Sequence, residues 1–231
     1  MVHKKNWEVI VIGGGPAGST TARYIAEGGC DVLVIDGRDP IGTPLQCGEL
    51  VPTNDEMRRL CPDVPDIDDL LQTPSHAVSR ETSEMHLVPP SGKPLTYSFE
   101  GFMLNRVAHD EALVDLAKSK GAEYLVNARV ESIEGNVVTL RDGRELNAKV
   151  IVGAGGHNDP LRRTFWNESS LKIPVKFVLM DGDFGDDDLS ECIASARAVG
   201  VPLCCFGHMH APLRHGGRQK MVCEREGTVY V

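Results

Sequence analysis

The chain has 231 residues, of which 41% are hydrophobic and 25% charged, with a formal net charge of -9. This is the balance of a globular protein with apolar sequence enough for one large or two small domains. The acidic excess gives no support to a nucleic-acid or anionic-membrane surface, although N–H groups at a helix start can still hold an anionic cofactor locally.

Seven cysteines (Cys30, Cys47, Cys61, Cys192, Cys204, Cys205 and Cys223) are scattered without a Cys-x-x-Cys pair. An odd, dispersed set argues against a disulfide framework or zinc ribbon and for a reducing compartment. The polar start Met1-Val-His-Lys-Lys-Asn has no signal-peptide pattern, and no apolar run approaches the ~18 residues of a membrane span. A cytoplasmic chain is expected, with peripheral membrane contact left open and the oligomeric state unspecified.

Residues 7–12, Trp-Glu-Val-Ile-Val-Ile, predict a buried parallel strand. A glycine-rich turn leads into a predicted helix from Ala17 to Glu27, ended by Gly28-Gly29. Residues 31–35, Asp-Val-Leu-Val-Ile, predict a second buried strand, completing a right-handed βαβ start. Residues 37–100 are less regular, with a short helix expected around Asp55–Leu60. A helical stripe runs through Val107, Ala108, Ala112, Leu113, Leu116 and Ala117, with Gly121 as its cap. Strands follow at 128–133, 136–140 and 145–153, the last two joined by an Asp142-Gly143 turn. After a connection at 167–174, the tail predicts a strand (175–180), an acidic loop, a helix (189–199), a strand (201–206) and a His-rich turn.

Gly13, Gly15 and Gly18 fill a G-x-G-x-x-G pattern with Pro16 and Ala17 between them. Gly13 permits the tight turn out of the strand, Gly15 lets the backbone approach a diphosphate, and Gly18 lets helix and strand pack closely. The diphosphate then rests on free N–H groups at the positive helix end. Asp36 closes the second strand 18 residues beyond Gly18, where a carboxylate accepting from ribose hydroxyls belongs. Spacing alone leaves FAD and NAD open. Arg38 could cover an adenine, meet a 2′-phosphate, or be a solvated surface arginine.

Three more segments narrow the choice: Thr43-Pro44-Leu45-Gln46-Cys47-Gly48-Glu49, Gly101-Phe102-Met103-Leu104-Asn105-Arg106, and Gly153-Ala154-Gly155-Gly156 ahead of Asp159-Pro160-Leu161-Arg162. Together with the glycine turn, these resemble the geranylgeranyl reductase family over residues 6–165, within the larger class of FAD proteins typified by aromatic hydroxylases. The resemblance implies that Gly13, Gly15, Pro16, Ala17, Gly18, Asp36 and Arg38 bind the ADP half of FAD. It places Cys47, Gly48 and Glu49 beside the flavin ring, with Cys47 as a candidate catalytic thiol set against an inert buried one. Arg106 contacts the cofactor, Val130 flanks the adenine through its backbone, and Ala154, Gly155 and Arg162 fall in the second flavin fingerprint. Gly155 stands where that fingerprint usually has Asp. The implied activity is reduction of isolated double bonds in prenyl chains of small-molecule or lipid substrates, with NAD(P)H as a candidate electron donor.

The tail has a second resemblance. Phe206-Gly207-His208-Met209-His210, with Pro212-Leu213-Arg214-His215-Gly216-Gly217 after it, is similar to the end of calcineurin-like metallophosphoesterases. His208 and His210 are therefore candidate metal ligands, but a dinuclear hydrolase needs more carboxylates and histidines than this segment supplies, which favours a structural role. The expected fold class is α/β: a Rossmann-type FAD-binding βαβ domain with an added β-meander over 1–166, a linker at 167–174, and a small α/β segment over 175–231. The leading functional expectation is an FAD-dependent oxidoreductase. A metal-dependent phosphoesterase and a non-catalytic, truncated flavin-binding protein stand as alternatives.

Overall fold

The computed structural model of the chain describes residues 4–44, 49–88, 95–156, 159–166, 176–182, 203–209 and 219–225. Two compact units emerge, each made of two chain segments: Met1–Leu45 with Arg106–Lys172, and Gln46–Asn105 with Ile173–Val231. The linear reading, with one boundary near 167, contained no such interleaving.

Unit 1 is an α/β layer built around a six-stranded sheet. Strands β1 (Asn6–Ile12), β2 (Val32–Ile35), β6 (Glu123–Leu125), β7 (Val130–Glu134), β8 (Val137–Leu140) and β9 (Glu145–Gly153) stand in the order β6-β2-β1-β9-β8-β7. The β6-β2-β1-β9 portion is parallel, and β7, β8 and β9 form the antiparallel meander. Helix α1 (Pro16–Glu27) connects β1 to β2, and α4 (Arg106–Ser119) packs against it. Alternation along β1 explains the apolar run Val9–Ile12. Val9 and Val11 join Ala22, Ala26 and Ala117 in one cluster, whereas Ile10 and Ile12 join Leu33, Ile35, Val138 and Leu140 in another. A strand covered on both faces has no polar side to show.

Unit 2 holds an antiparallel sheet in the order β10-β12-β11-β4-β5-β3. Its strands are β3 (Leu50–Pro52), β4 (Val78–Val88), β5 (Leu95–Leu104), β10 (Lys176–Gly182), β11 (Leu203–Met209) and β12 (Gln219–Arg225). Helix α2 (Asn54–Leu60) starts where expected and is capped by Thr53, whose hydroxyl accepts from the Glu56 N–H at 3.2 Å. A short α3 (Ile67–Leu70) follows. The β4–β5 hairpin lies in the stretch read as irregular. Strand β11 pairs with β4 from Cys204↔Val88 to Met209↔Thr82, so the tail strand joins this hairpin's sheet. His208 therefore lies on a strand, not in a turn. The expected helix at 189–199 and His210 lie outside the described residues.

Candidate cofactor site

The glycine turn is defined by what cannot fit there. Gly13 adopts φ +105°, and a Cβ on it would lie 2.3 Å from the Ala154 carbonyl oxygen. A Cβ on Gly18 would lie 1.8 Å from the Gly13 carbonyl oxygen. Both glycines therefore bring β1, α1 and the end of β9 together at distances no side chain permits. The Gly13 N–H donates to the Ile35 carbonyl at 2.8 Å, and the Ala154 N–H to the Ile12 carbonyl at 2.8 Å. Gly15 differs from its neighbours: a Cβ there would meet only Arg38 Nη2, at 3.9 Å. It is also the N-cap of α1, with Pro16 at the first position, no capping side chain and no acid in the first turn. The positive end of α1 thus meets an open cradle of backbone, which suits a diphosphate.

Asp36 latches this loop. Its carboxylate accepts from Gly14 N–H (2.7 Å), Arg38 N–H (2.8 Å), Arg38 Nε (3.0 Å) and Arg38 Nη2 (3.0 Å). Burial pushes this carboxyl up, but the Arg38 and Gly14 hydrogen bonds outweigh it and hold the group below the ordinary carboxylate range. A carboxylate offers about four lone-pair sites, and all are taken. The expected ribose contact thus requires Arg38 to give way. Arg38 is no solvated surface arginine: Asp36, and at longer range Asp110, hold it charged.

Around this latch the structure gathers most of the remaining candidates in unit 1. Arg106, at the start of α4, donates to Asp110 through Nε (2.8 Å) and Nη2 (3.3 Å), and His109 Nδ1 lies 3.1 Å from the same carboxylate. Burial raises the Asp110 carboxyl, whereas His109 and Arg106 bring it down to a net lowered value. Val130 opens β7 just past Ala128, whose N–H donates to the Asp36 carbonyl at 3.0 Å. Ala17, Ala154 and Arg162 line one cleft of about 880 Å³ with Ile151, Val152 and Asp159. Gly155 and Arg162 are joined by a residue not singled out from sequence: buried Asp159 accepts both their backbone N–H groups. Its position before Pro160, the first residue of α5 (Pro160–Trp166), is a helix-start signal. Ser19 and Tyr124 were also missed, and their contact spans 105 positions with no local signature.

Cys47 and Gly48 lie outside the described residues, while Glu49 is buried in unit 2, where its carbonyl accepts from the Leu104 N–H. Among the described residues, no group of three or more His, Cys, Asp or Glu side chains could hold a metal ion. Among them, too, no helix is long and apolar enough to cross a membrane.

A parallel βαβ unit with an open glycine cradle at its helix start defines a Rossmann-type dinucleotide-binding protein. The NAD(P)-binding Rossmann-like domain family matches residues 11–57. An uncharacterized protein in the nifH2 5′ region of Methanosarcina barkeri is 33% identical over 161 residues, covering 68% of this chain and 87% of that protein. Digeranylgeranylglycerophospholipid reductase 2 of Methanopyrus kandleri is 34% identical over 178 residues, covering 74% of this chain and 42% of the reductase. The corresponding reductase of Methanosarcina mazei is 30% identical over 223 residues, covering 88% of this chain and 52% of the reductase. That match takes in more of the chain than residues 1–166 amount to. Among solved structures, a geranylgeranyl bacteriochlorophyll reductase-like protein from Thermoplasma acidophilum superposes with a TM-score of 0.60 at 24% identity, covering 77% of this chain and 47% of its own. A variant of the halogenase PltM in complex with FAD superposes with a TM-score of 0.63 at 20% identity, covering 94% of this chain and 51% of its own. The chain belongs to the geranylgeranyl reductase family, and spans 42% and 52% of the two named reductases.

Proposed function

We propose that the chain binds FAD on the Gly13–Gly18 turn and serves an oxidoreductase that reduces isolated double bonds in prenyl chains of isoprenoid lipids. The observation that carries this reading is the open Gly15 cradle at the start of α1, inside the Rossmann-like segment of residues 11–57. When bound, FAD supplies the hydride, and NAD(P)H is its proposed source. The chain's own residues bind and orient. The α1 N–H groups take the diphosphate, Arg38 and Arg106 add positive charge beside it, and Val130 borders the adenine. Ala154 and Arg162 line the cleft at the end of β9, with Gly155 in the turn between them. By the resemblance, Cys47 is the candidate catalytic thiol of this reading. The scattered cysteines support a cytoplasmic setting, and a prenyl-lipid substrate supports peripheral contact with a membrane.

The pairing of β11 with β4 supports treating the tail as part of unit 2's sheet, with His208 as a strand residue in place of a metal ligand.

The test is the visible spectrum of the purified protein, mass identification of the released cofactor, and mass analysis of a prenyl lipid incubated with NAD(P)H. Released FAD and a gain of two hydrogens per double bond support the proposal. Released FAD without turnover leaves a flavin-binding protein, and a colourless chain that takes up no FAD overturns the reading. Cys47→Ala separates a catalytic thiol from an inert one by lowering turnover at unchanged flavin content.

A further inference from the structure

Gly14 is held on both sides. Its N–H donates to Asp36 Oδ2 at 2.7 Å, and its carbonyl accepts from Ser19 Oγ at 2.9 Å. Ser19 is fully buried, and its Oγ accepts from the Tyr124 hydroxyl at 3.0 Å. In a trans peptide the C=O and N–H point to opposite sides. Holding the Gly14 carbonyl on Ser19 therefore turns the Gly15 N–H the other way, out from the buried Ser19. Gly15 is the position in the turn with open space beside it.

We infer that Tyr124 and Ser19 are positioning residues: Tyr124 holds the Ser19 hydroxyl, which sets the Gly14–Gly15 peptide so that the Gly15 N–H faces the cofactor's diphosphate. The inference rests on the FAD reading above. The relay has a chemical reason to need both members. A serine hydroxyl has one proton, and in a first helical turn it can turn to the carbonyl four residues back, here that of Gly15. A donor on the Ser19 lone pairs favours the orientation whose proton goes to Gly14. Tyr124 fills that role without a competing charge, because its phenol stays protonated. Burial pushes the group up to about 12, the Ser19 hydrogen bond opposes this, and the Asp115 charge adds to it. Tyr124 sits on β6, outside the βαβ unit, and so ties that neighbouring strand to the phosphate loop.

The test titrates apoprotein with FAD and, separately, with ADP, for the wild type, Tyr124→Phe, Ser19→Ala and the double variant. Thermal unfolding without ligand is recorded for each. Tyr124→Phe should weaken FAD and ADP alike by about threefold to tenfold, and Ser19→Ala by about tenfold, as expected for one hydrogen bond. The double variant should bind no more weakly than Ser19→Ala, because Tyr124 acts through Ser19. Affinities within twofold of wild type alongside a lowered unfolding temperature would mean a merely structural role and overturn the relay. Additive losses in the double variant overturn it as well. If Ser19→Ala does not fold, Tyr124→Phe decides alone by the FAD and ADP affinities. A wild type that binds neither FAD nor ADP overturns the cofactor reading and this inference with it.

Discussion

Asp159 accepts the Gly155 N–H at 2.5 Å and the Arg162 N–H at 3.0 Å, tying the turn after β9 to the first turn of α5. Gly155, set by the resemblance where the second flavin fingerprint usually has Asp, thus has a carboxylate four residues on that reaches back to its backbone. The fit is close: a Cβ on Gly153 would lie 2.7 Å from one Asp159 oxygen, and one on Gly155 3.0 Å from the other. Asp159→Ala should cost about 1–3 kcal/mol in urea unfolding, the range for a lost helix cap or a hydrogen bond with a charged partner. It should also loosen FAD, because Asp159 lines the cleft. Asp159→Asn, which keeps an acceptor oxygen, should recover part of both.

Two glycines of one motif should respond in opposite ways. Gly18→Ala places a methyl group 1.8 Å from the Gly13 carbonyl oxygen, so backbone must move. A loss of several kcal/mol is expected, beyond the usual 1–3 of an overpacked core. Gly15→Ala meets nothing closer than 3.9 Å, and its φ of −67° suits any residue. Its unfolding midpoint should stay near wild type while FAD affinity falls at least tenfold, because the methyl occupies the space a diphosphate needs. Denaturation and FAD titration of the two variants check the contrast.

The Asp36 latch predicts an acid-sensitive loop. Its carboxyl is lowered below the ordinary 3.8, so the unfolded chain takes up the proton first as pH falls. The stability it contributes is complete above about pH 4 and lost as pH drops through the lower folded value. Asp36→Asn should remove that part of the acid slope. At neutral pH it should cost about 1.5–3 kcal/mol, because Arg38 and Gly14 lose a charged acceptor. Equilibrium unfolding between pH 2.5 and 7 measures both.

Tyr124 predicts the opposite limb. With its folded value raised from 10.0 to about 12, the unfolded chain ionises first as pH rises. Stability should decline between those values by about 2 kcal/mol. Subtracting the unfolding curve of Tyr124→Phe isolates this term from the other groups that titrate there, and an unchanged slope would remove the phenol from the account.

The βαβ start was legible because its signals are local. Val9–Ile12 and Val32–Ile35 are apolar on both faces, and Gly18 is a glycine because of Gly13, five residues away. The β4–β5 hairpin was not. Val78–Val88 reads Val-Ser-Arg-Glu-Thr-Ser-Glu-Met-His-Leu-Val, where Arg80 and Thr82 occupy buried positions and so break the alternation that marks a half-buried strand. Tail strand β11 carries a motif familiar from another setting, but its partner β4 lies more than a hundred residues earlier. Ser19 and Tyr124 were hidden for the same reason. Each is unremarkable among its neighbours, and only the parallel placement of β6 beside β2 brings them together.

The interleaved segments have a consequence for the newborn chain. Strand β4 leaves the ribosome well before β11, its partner on one side. At roughly 5–20 residues per second the wait is about 6–25 s. Through that interval β4 is covered by β5 on one edge and presents bare N–H and C=O groups on the other, an invitation to pair with another chain. The emergence of β11 is therefore the moment at which this hairpin stops being sticky, and yield in a host should depend on chaperones that bridge the gap.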